Sequence, residues 1–147
     1  MLATVKHECA ETWHPITEIG CLEYFDKYNS GTAIGRALGN TQPGDGFKYR
    51  GRGYVQITGR GQYKKLGDAL GVNLIAKPQF ALDTQIAYEI MSLGMRAGMF
   101  TGKKLSDYIN SDRCDFLNAR RIINGTDNAG VIARYANDYL HNNEVLK

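Results

Sequence analysis

The sequence predicts a mainly α-helical protein with at most a small β element. After Pro78, apolar residues recur at three- and four-residue spacing almost to the end of the chain. Glycine crowds the first half instead, from Gly20 and Gly31 through Gly59 and Gly61, where regular helix is disfavoured. Strand-like alternation with β-branching is confined to the short run GYVQIT, Gly53 to Thr58. A length of 147 residues fits one domain, and 43% hydrophobic with 22% charged residues is enough for a packed core.

The elements follow in order. Leu2, Val5, Cys9 and Trp13 share helical spacing, which predicts an opening helix ended near Pro15. Residues 14 to 62 read as loop-dominated, with a strand or hairpin at GYVQIT. A short helix is expected from Gln62 to Leu70, closed by Gly71. Beyond Pro78, Ile86, Ile90, Leu93 and Ala97 form one stripe and Ala87, Met91, Met95 and Met99 the next. So wide an apolar arc predicts a central buried helix, with the Met row as core filler. Leu105 to Ile109 and Phe116 to Ile123 read as further helices, and Ala129 to about Leu146 as the last.

Composition narrows the function. A formal net charge of +3 is modest for a dedicated nucleic-acid binder and suits an enzyme drawn to an anionic polymer. The three cysteines, Cys9, Cys21 and Cys114, lack paired spacing and are expected as free thiols in a reducing compartment. The opening LATVKHECAETW has neither the basic start nor the apolar run of a signal peptide, so accumulation in a cytoplasm is expected. No stretch has the length and apolarity of a membrane span, so membrane insertion is not expected.

Several chemical motifs fail. HExxH would need a histidine where Glu11 stands. GRGYVQ is not GxGxxG, and GRGQYKK lacks the spacing of a phosphate-binding loop. No metal and no cofactor is expected. The carboxylates remain. Glu8 borders the apolar stripe of the first helix, where partial desolvation favours an acid. Glu18 lies beyond Pro15 in PITEIG, where exposure keeps a carboxylate ionised. Two carboxyls in contrasting environments are what glycoside hydrolysis uses. Glu11 competes for the second role, but it sits three residues from Glu8 on nearly the same face. Spacing alone leaves open that all three are solvated surface charges. If YVQIT is extended, Tyr54, Gln56 and Thr58 share one face, offering an aromatic platform, an amide and a hydroxyl. Such a face suits a sugar as well as a stacked base, and a plain hairpin with a basic exposed side remains the alternative.

The motifs HEC on the first helix, ITEIG after it, YRGRGYVQITGRGQY in the middle and RRIING near the end resemble the glycoside hydrolase family 19 catalytic domain. That family includes chitinases and phage endolysins, and the resemblance runs from Lys6 to about Arg134. It implies a lysozyme-like fold of two mainly helical lobes around a central cleft, spanning 1–147 as a single catalytic domain. It implies Glu8 as general acid, Glu18 as general base and Thr58 as the residue that holds the attacking water. Gln56, Tyr54, Gln62 and Asn124 would contact sugar, and Arg134 would set the environment of the acid. The family inverts configuration by single displacement, which calls for carboxyls about 6.5–9.5 Å apart. Cys9 stands where the family has a hydroxyl residue, and Gln62 where many members have asparagine. The chain also begins almost at the acid's helix, where relatives carry further residues, so it reads as a minimal version or one lacking an N-terminal segment.

Chitin and peptidoglycan are both β-1,4-linked polymers containing N-acetylglucosamine. The missing leader, free thiols and mild positive charge favour peptidoglycan, and with it a monomeric endolysin released through a separate membrane pore. Chitinase is the alternative. In the other class stand a non-catalytic sugar-binding relative and a nucleic-acid binder using Arg50, Arg52, Arg60, Lys64 and Lys65 with Tyr49, Tyr54 and Tyr63.

Overall fold

The computed structural model describes residues 1–9 and 12–142. Among them are eight α-helices and one two-stranded antiparallel sheet, so the mainly α expectation holds. The chain divides into two compact units, one drawn from Met1–Trp13 and Met91–Lys147, the other from His14–Ile90.

The first unit holds α1 (Leu2–Glu8), which ends seven residues before Pro15. The Thr12 amide and hydroxyl both donate to the Cys9 carbonyl, at 2.9 and 2.7 Å. Trp13 therefore leaves the predicted stripe. Its φ is +60°, and its ring lies 6.3 Å from Tyr139. In the same unit α7 (Phe116–Ala119) and α1 both pack on α8 (Ala129–His141), and Val5, Cys9, Ile122 and Ile132 are buried. The predicted helix at Phe116 to Ile123 divides into α7 and a 3-10 turn, Arg120–Ile122. Leu105 to Ile109 is likewise only a 3-10 turn, Leu105–Asp107. The end of the predicted last helix, residues 143–146, lies outside the described residues.

The second unit contains β1 (Ile16–Thr17), α2 (Leu22–Phe25), α3 (Ala33–Ala37), α4 (Asp45–Lys48), β2 (Arg52–Gly53) and α5 (Arg60–Leu70). Three short helices thus occupy the stretch read as loop. Their glycines serve close packing: a Cβ at Gly35 would lie 1.9 Å from the Asn29 carbonyl oxygen, and one at Gly46 2.3 Å from that of Phe25. Thr32 caps α3 by accepting from the Gly35 amide at 2.8 Å. Gly71, at φ +68°, closes α5 as expected. The Asp83 carboxylate accepts from the Gln85 and Ile86 amides, each at 3.0 Å, and so starts α6 (Thr84–Ala97), which carries the chain from this unit into the first.

β1 pairs with β2 through Ile16 opposite Gly53 and Thr17 opposite Arg52. The extended YVQIT strand does not form. Gly53 at φ +86° and Gln56 at φ +50° reverse the chain, so Tyr54–Gln56 is a turn and Ile57 bridges back to Arg52. Tyr54, Gln56 and Thr58 therefore do not share a strand face.

Below this hairpin the core includes Phe25, Tyr49, Tyr63 and Leu66, with the Tyr49 and Tyr63 rings 5.3 Å apart. Asp45 is buried and joins three segments. It accepts from the Thr41 and Gln42 amides at 2.8 and 2.9 Å and from Arg60 Nε and Nη2 at 2.8 and 2.7 Å. Burial alone would push its carboxyl up, but the Arg60 and amide donors outweigh it and hold the carboxyl below the ordinary value. Asp45→Ala is expected to cost about 3 kcal/mol in urea denaturation, because it strands a partly buried guanidinium and orphans two amides. A depressed carboxyl contributes stability above the unfolded pKa of about 3.9 and loses it as pH falls through the folded value. The deficit of the variant should therefore be full at pH 7 and shrink in acid below about pH 4.

Candidate functional site

Glu18 follows β1 and is held from several sides within its unit. Its amide donates to the Gly51 carbonyl at 2.8 Å, and the Gly51 amide donates back to Glu18 Oε2 at 3.0 Å. The Tyr24 and Tyr28 hydroxyls both donate to Oε1, each at 3.2 Å. Both carboxylate oxygens therefore have donors, from a backbone amide and two phenols. Gly51 is required by this closeness: a Cβ there would meet Gln56 Oε1 at 2.8 Å and Glu18 Oε2 at 3.1 Å.

Gln56 belongs to the same frame, and Thr58 hydrogen-bonds to its carbonyl. Gln56 Nε2 donates to the Ile16 and Gly53 carbonyls, each at 3.0 Å, and so ties β1 to the turn that carries it. Its amide nitrogen is thus spent on the frame around Glu18, while Oε1 lies beside Gly51. The Thr58 hydroxyl donates to the Gln56 carbonyl at 2.9 Å, which leaves its oxygen as an acceptor. A water that gives one proton to a base and the other to that oxygen would keep a lone pair free for attack. Tyr54 is buried, with 7% exposure, so it is no open aromatic platform. Gln62 lies half-buried in the first turn of α5.

In the other unit, Glu8 ends α1 and its carboxylate meets Arg120. Arg120 Nη1 donates to Glu8 Oε1 at 2.6 Å, and Nε donates to the Asp127 carbonyl at 3.0 Å. The guanidinium side chain is 5% exposed and the Glu8 side chain 21%. The sequence had placed Glu8 at the edge of an apolar core; the structure adds a buried cation. It also corrects the arginine. Arg134 is exposed on α8, with no hydrogen bond or ion pair among the described residues, and Arg120 holds the carboxylate instead. Position in the turn decides this, because Arg120 opens the buried 3-10 segment while Arg134 lies on the outer face of its helix. Asn124 is exposed, its Oδ1 accepting from the Gly125 amide at 2.9 Å. Glu11, the competing carboxylate, lies outside the described residues. Burial pushes the Cys9 thiol up to about 11, with the adjacent Glu8 carboxylate adding to the shift, so at neutral pH Cys9 is a small protonated core residue.

Each unit holds one carboxylate by its own donors, Glu8 by Arg120 and Glu18 by Tyr24, Tyr28 and the Gly51 amide. Arg120 donates to Oε1 of Glu8, so the carboxyl is held by one of its two oxygens. Glu18 has donors on both oxygens, which fix the orientation of its carboxyl group. Sequence reasoning missed Arg120, Tyr24, Tyr28 and Gly51 as partners. Arg120 lies 112 residues from Glu8 and carries no local signal, whereas Tyr24 and Tyr28 stand six and ten residues beyond Glu18 with turn-to-helix spacing. No group of three or more His, Cys, Asp or Glu is placed to hold a metal among the described residues.

Among solved structures the chain is similar to chitinase C from Streptomyces griseus HUT6037, with 28% identity and a TM-score of 0.51 over 68% of this chain and 45% of that one. It is equally similar to a glutamate-to-glutamine mutant of chitinase C, with 27% identity, a TM-score of 0.51 and the same coverage. The chain spans under half the length of those structures. No protein-family model and no curated protein matches it. The likeness shows a chitinase-like fold over 68% of this chain.

Proposed function

We propose that the protein hydrolyses β-1,4 glycosidic bonds of bacterial peptidoglycan with inversion, using Glu8 as acid and Glu18 as base. The observation that carries this reading is the separate bracing of the two glutamates. One is paired with a buried guanidinium, and the other is held by two phenols and an amide. Two carboxyls, each held in a fixed orientation, are what an inverting glycosidase uses, and the likeness to chitinase C supports the reaction class.

In the proposed reaction Glu8 gives its proton to the glycosidic oxygen as the C1–O bond breaks. Water forms the new C1–O bond and passes one proton to Glu18. Arg120 keeps the Glu8 carboxyl in one orientation throughout. Thr58 accepts from the water and orients it. Thr58→Ala is therefore expected to lower kcat about tenfold with KM little changed, since the interaction is made with the nucleophile. Steady-state kinetics check this, and unchanged kcat would remove Thr58 from the site.

Peptidoglycan is preferred over chitin because the chain carries a net charge of +3, with Lys27 and Arg50 lying on aromatic rings near Glu18. Peptidoglycan carries carboxylates and chitin does not. The free thiols Cys9, Cys21 and Cys114 suit storage in a reducing cytoplasm before release through a separate pore, as a monomeric phage-type endolysin. The second reading, a chitinase, is favoured by the names of the structural neighbours. Purified peptidoglycan and soluble chitin oligomers assayed side by side separate the two. New reducing ends from peptidoglycan, identified by mass spectrometry, are expected, and cleavage of chitin alone would overturn the choice of substrate.

A further inference from the structure

The segment after Glu18 carries chemistry that the proposed reaction has not used. α2 and the 3-10 turn Asp26–Tyr28 place Tyr24 and Tyr28 edge to face, with ring centroids 6.4 Å apart. Both hydroxyls converge on Glu18 Oε1. Lys27 lies over both rings, its Nζ 3.5 Å from the Tyr24 centroid and 4.8 Å from that of Tyr28. A cation on a phenol ring withdraws electron density and makes the O–H a better donor. The Gly51 amide takes the other carboxylate oxygen.

We propose that Tyr24, Tyr28 and the Gly51 amide form a three-donor clamp that fixes the rotamer of Glu18, and that Lys27 strengthens its two phenolic arms from outside. The three side chains are positioning residues, acting through Glu18. The inference rests on the reading of Glu18 as base for its kinetic consequence, but not for the clamp itself.

The charged and titratable groups that face the clamp within its unit are Glu18, Lys27, Arg50 and Tyr63. Glu18 also acts on Arg50 and Tyr63 through space. Burial pushes the Tyr28 phenol above its ordinary value, the Glu18 carboxylate pushes it further, and Lys27 pulls it back.

Two experiments test the clamp. The first follows the Tyr28 ring by NMR titration in protein with labelled tyrosine, and needs no catalysis. Glu18→Gln should move the Tyr28 titration down, because a negative neighbour is lost, and Lys27→Gln should move it up. A Tyr28 titration unmoved by Glu18→Gln would overturn the clamp. The second is kinetic. Tyr28→Phe keeps the ring and deletes one donor, so kcat should fall about tenfold with KM unchanged. Lys27→Gln should lower kcat about threefold. A Tyr28→Phe enzyme with unchanged kcat would overturn the positioning role. If the titrations move as expected while the wild type cleaves no glycan, the clamp stands and the glycosidase reading fails.

Discussion

Glu8→Gln is expected to lower turnover on peptidoglycan by about 10³-fold while the protein stays folded. The amide keeps the size and planarity of the carboxyl, and its oxygen can still accept from Arg120 Nη1, now 2.6 Å from Oε1. It cannot give up a proton to a leaving oxygen. Substrate binding should therefore persist, and the loss should fall on kcat. Reducing-end assays with a parallel thermal melt check both halves. Loss confined to KM would remove Glu8 from the chemistry, and collapse of the fold would make it a structural partner of Arg120.

Arg120→Met is expected to cost about 3 kcal/mol of stability, measured by urea denaturation. The guanidinium is 5% exposed and joins Glu8 to the Asp127 carbonyl, so its removal leaves a largely buried carboxylate without its partner. The uncompensated charge is the main penalty. For that reason Glu8→Gln combined with Arg120→Met should be more stable than Arg120→Met alone, since no charge is then stranded. Arg120→Met should also lower kcat, because Glu8 loses the contact that orients it. A stability within 0.5 kcal/mol of wild type would show that the pair contributes little, as exposed pairs often do.

The long helices were legible because their signals are local. Apolar periodicity marked α6 and α8, and Gly71 marked the end of α5. The short helices of the second unit were not legible because Gly35 and Gly46 look like loop residues until the backbones beside them are known. The GYVQIT run misled for a related reason. Its alternation fits a strand, but Gly53 and Gln56 take positive φ and turn the chain within six residues. For the candidate site, the glutamates and Thr58 stood out through motifs, whereas their partners depend on tertiary approach. RRIING offers Arg120 and Arg121 together, and only the fold shows that Arg120 turns inward while Arg121 stays exposed. Gln56 was expected to face sugar, and its amide instead braces the strand that carries Glu18.

The measurement that tests the central claim most directly is the configuration of the sugar end at the moment it is released. Proton NMR of a fresh digest, recorded before mutarotation, distinguishes the anomers. Single displacement at a β-linked sugar by water activated at Glu18 predicts that the α-anomer appears first. Initial release of the β-anomer would require two displacements and a covalent intermediate, and would contradict the assignment of Glu8 and Glu18 as an acid and base acting in one step.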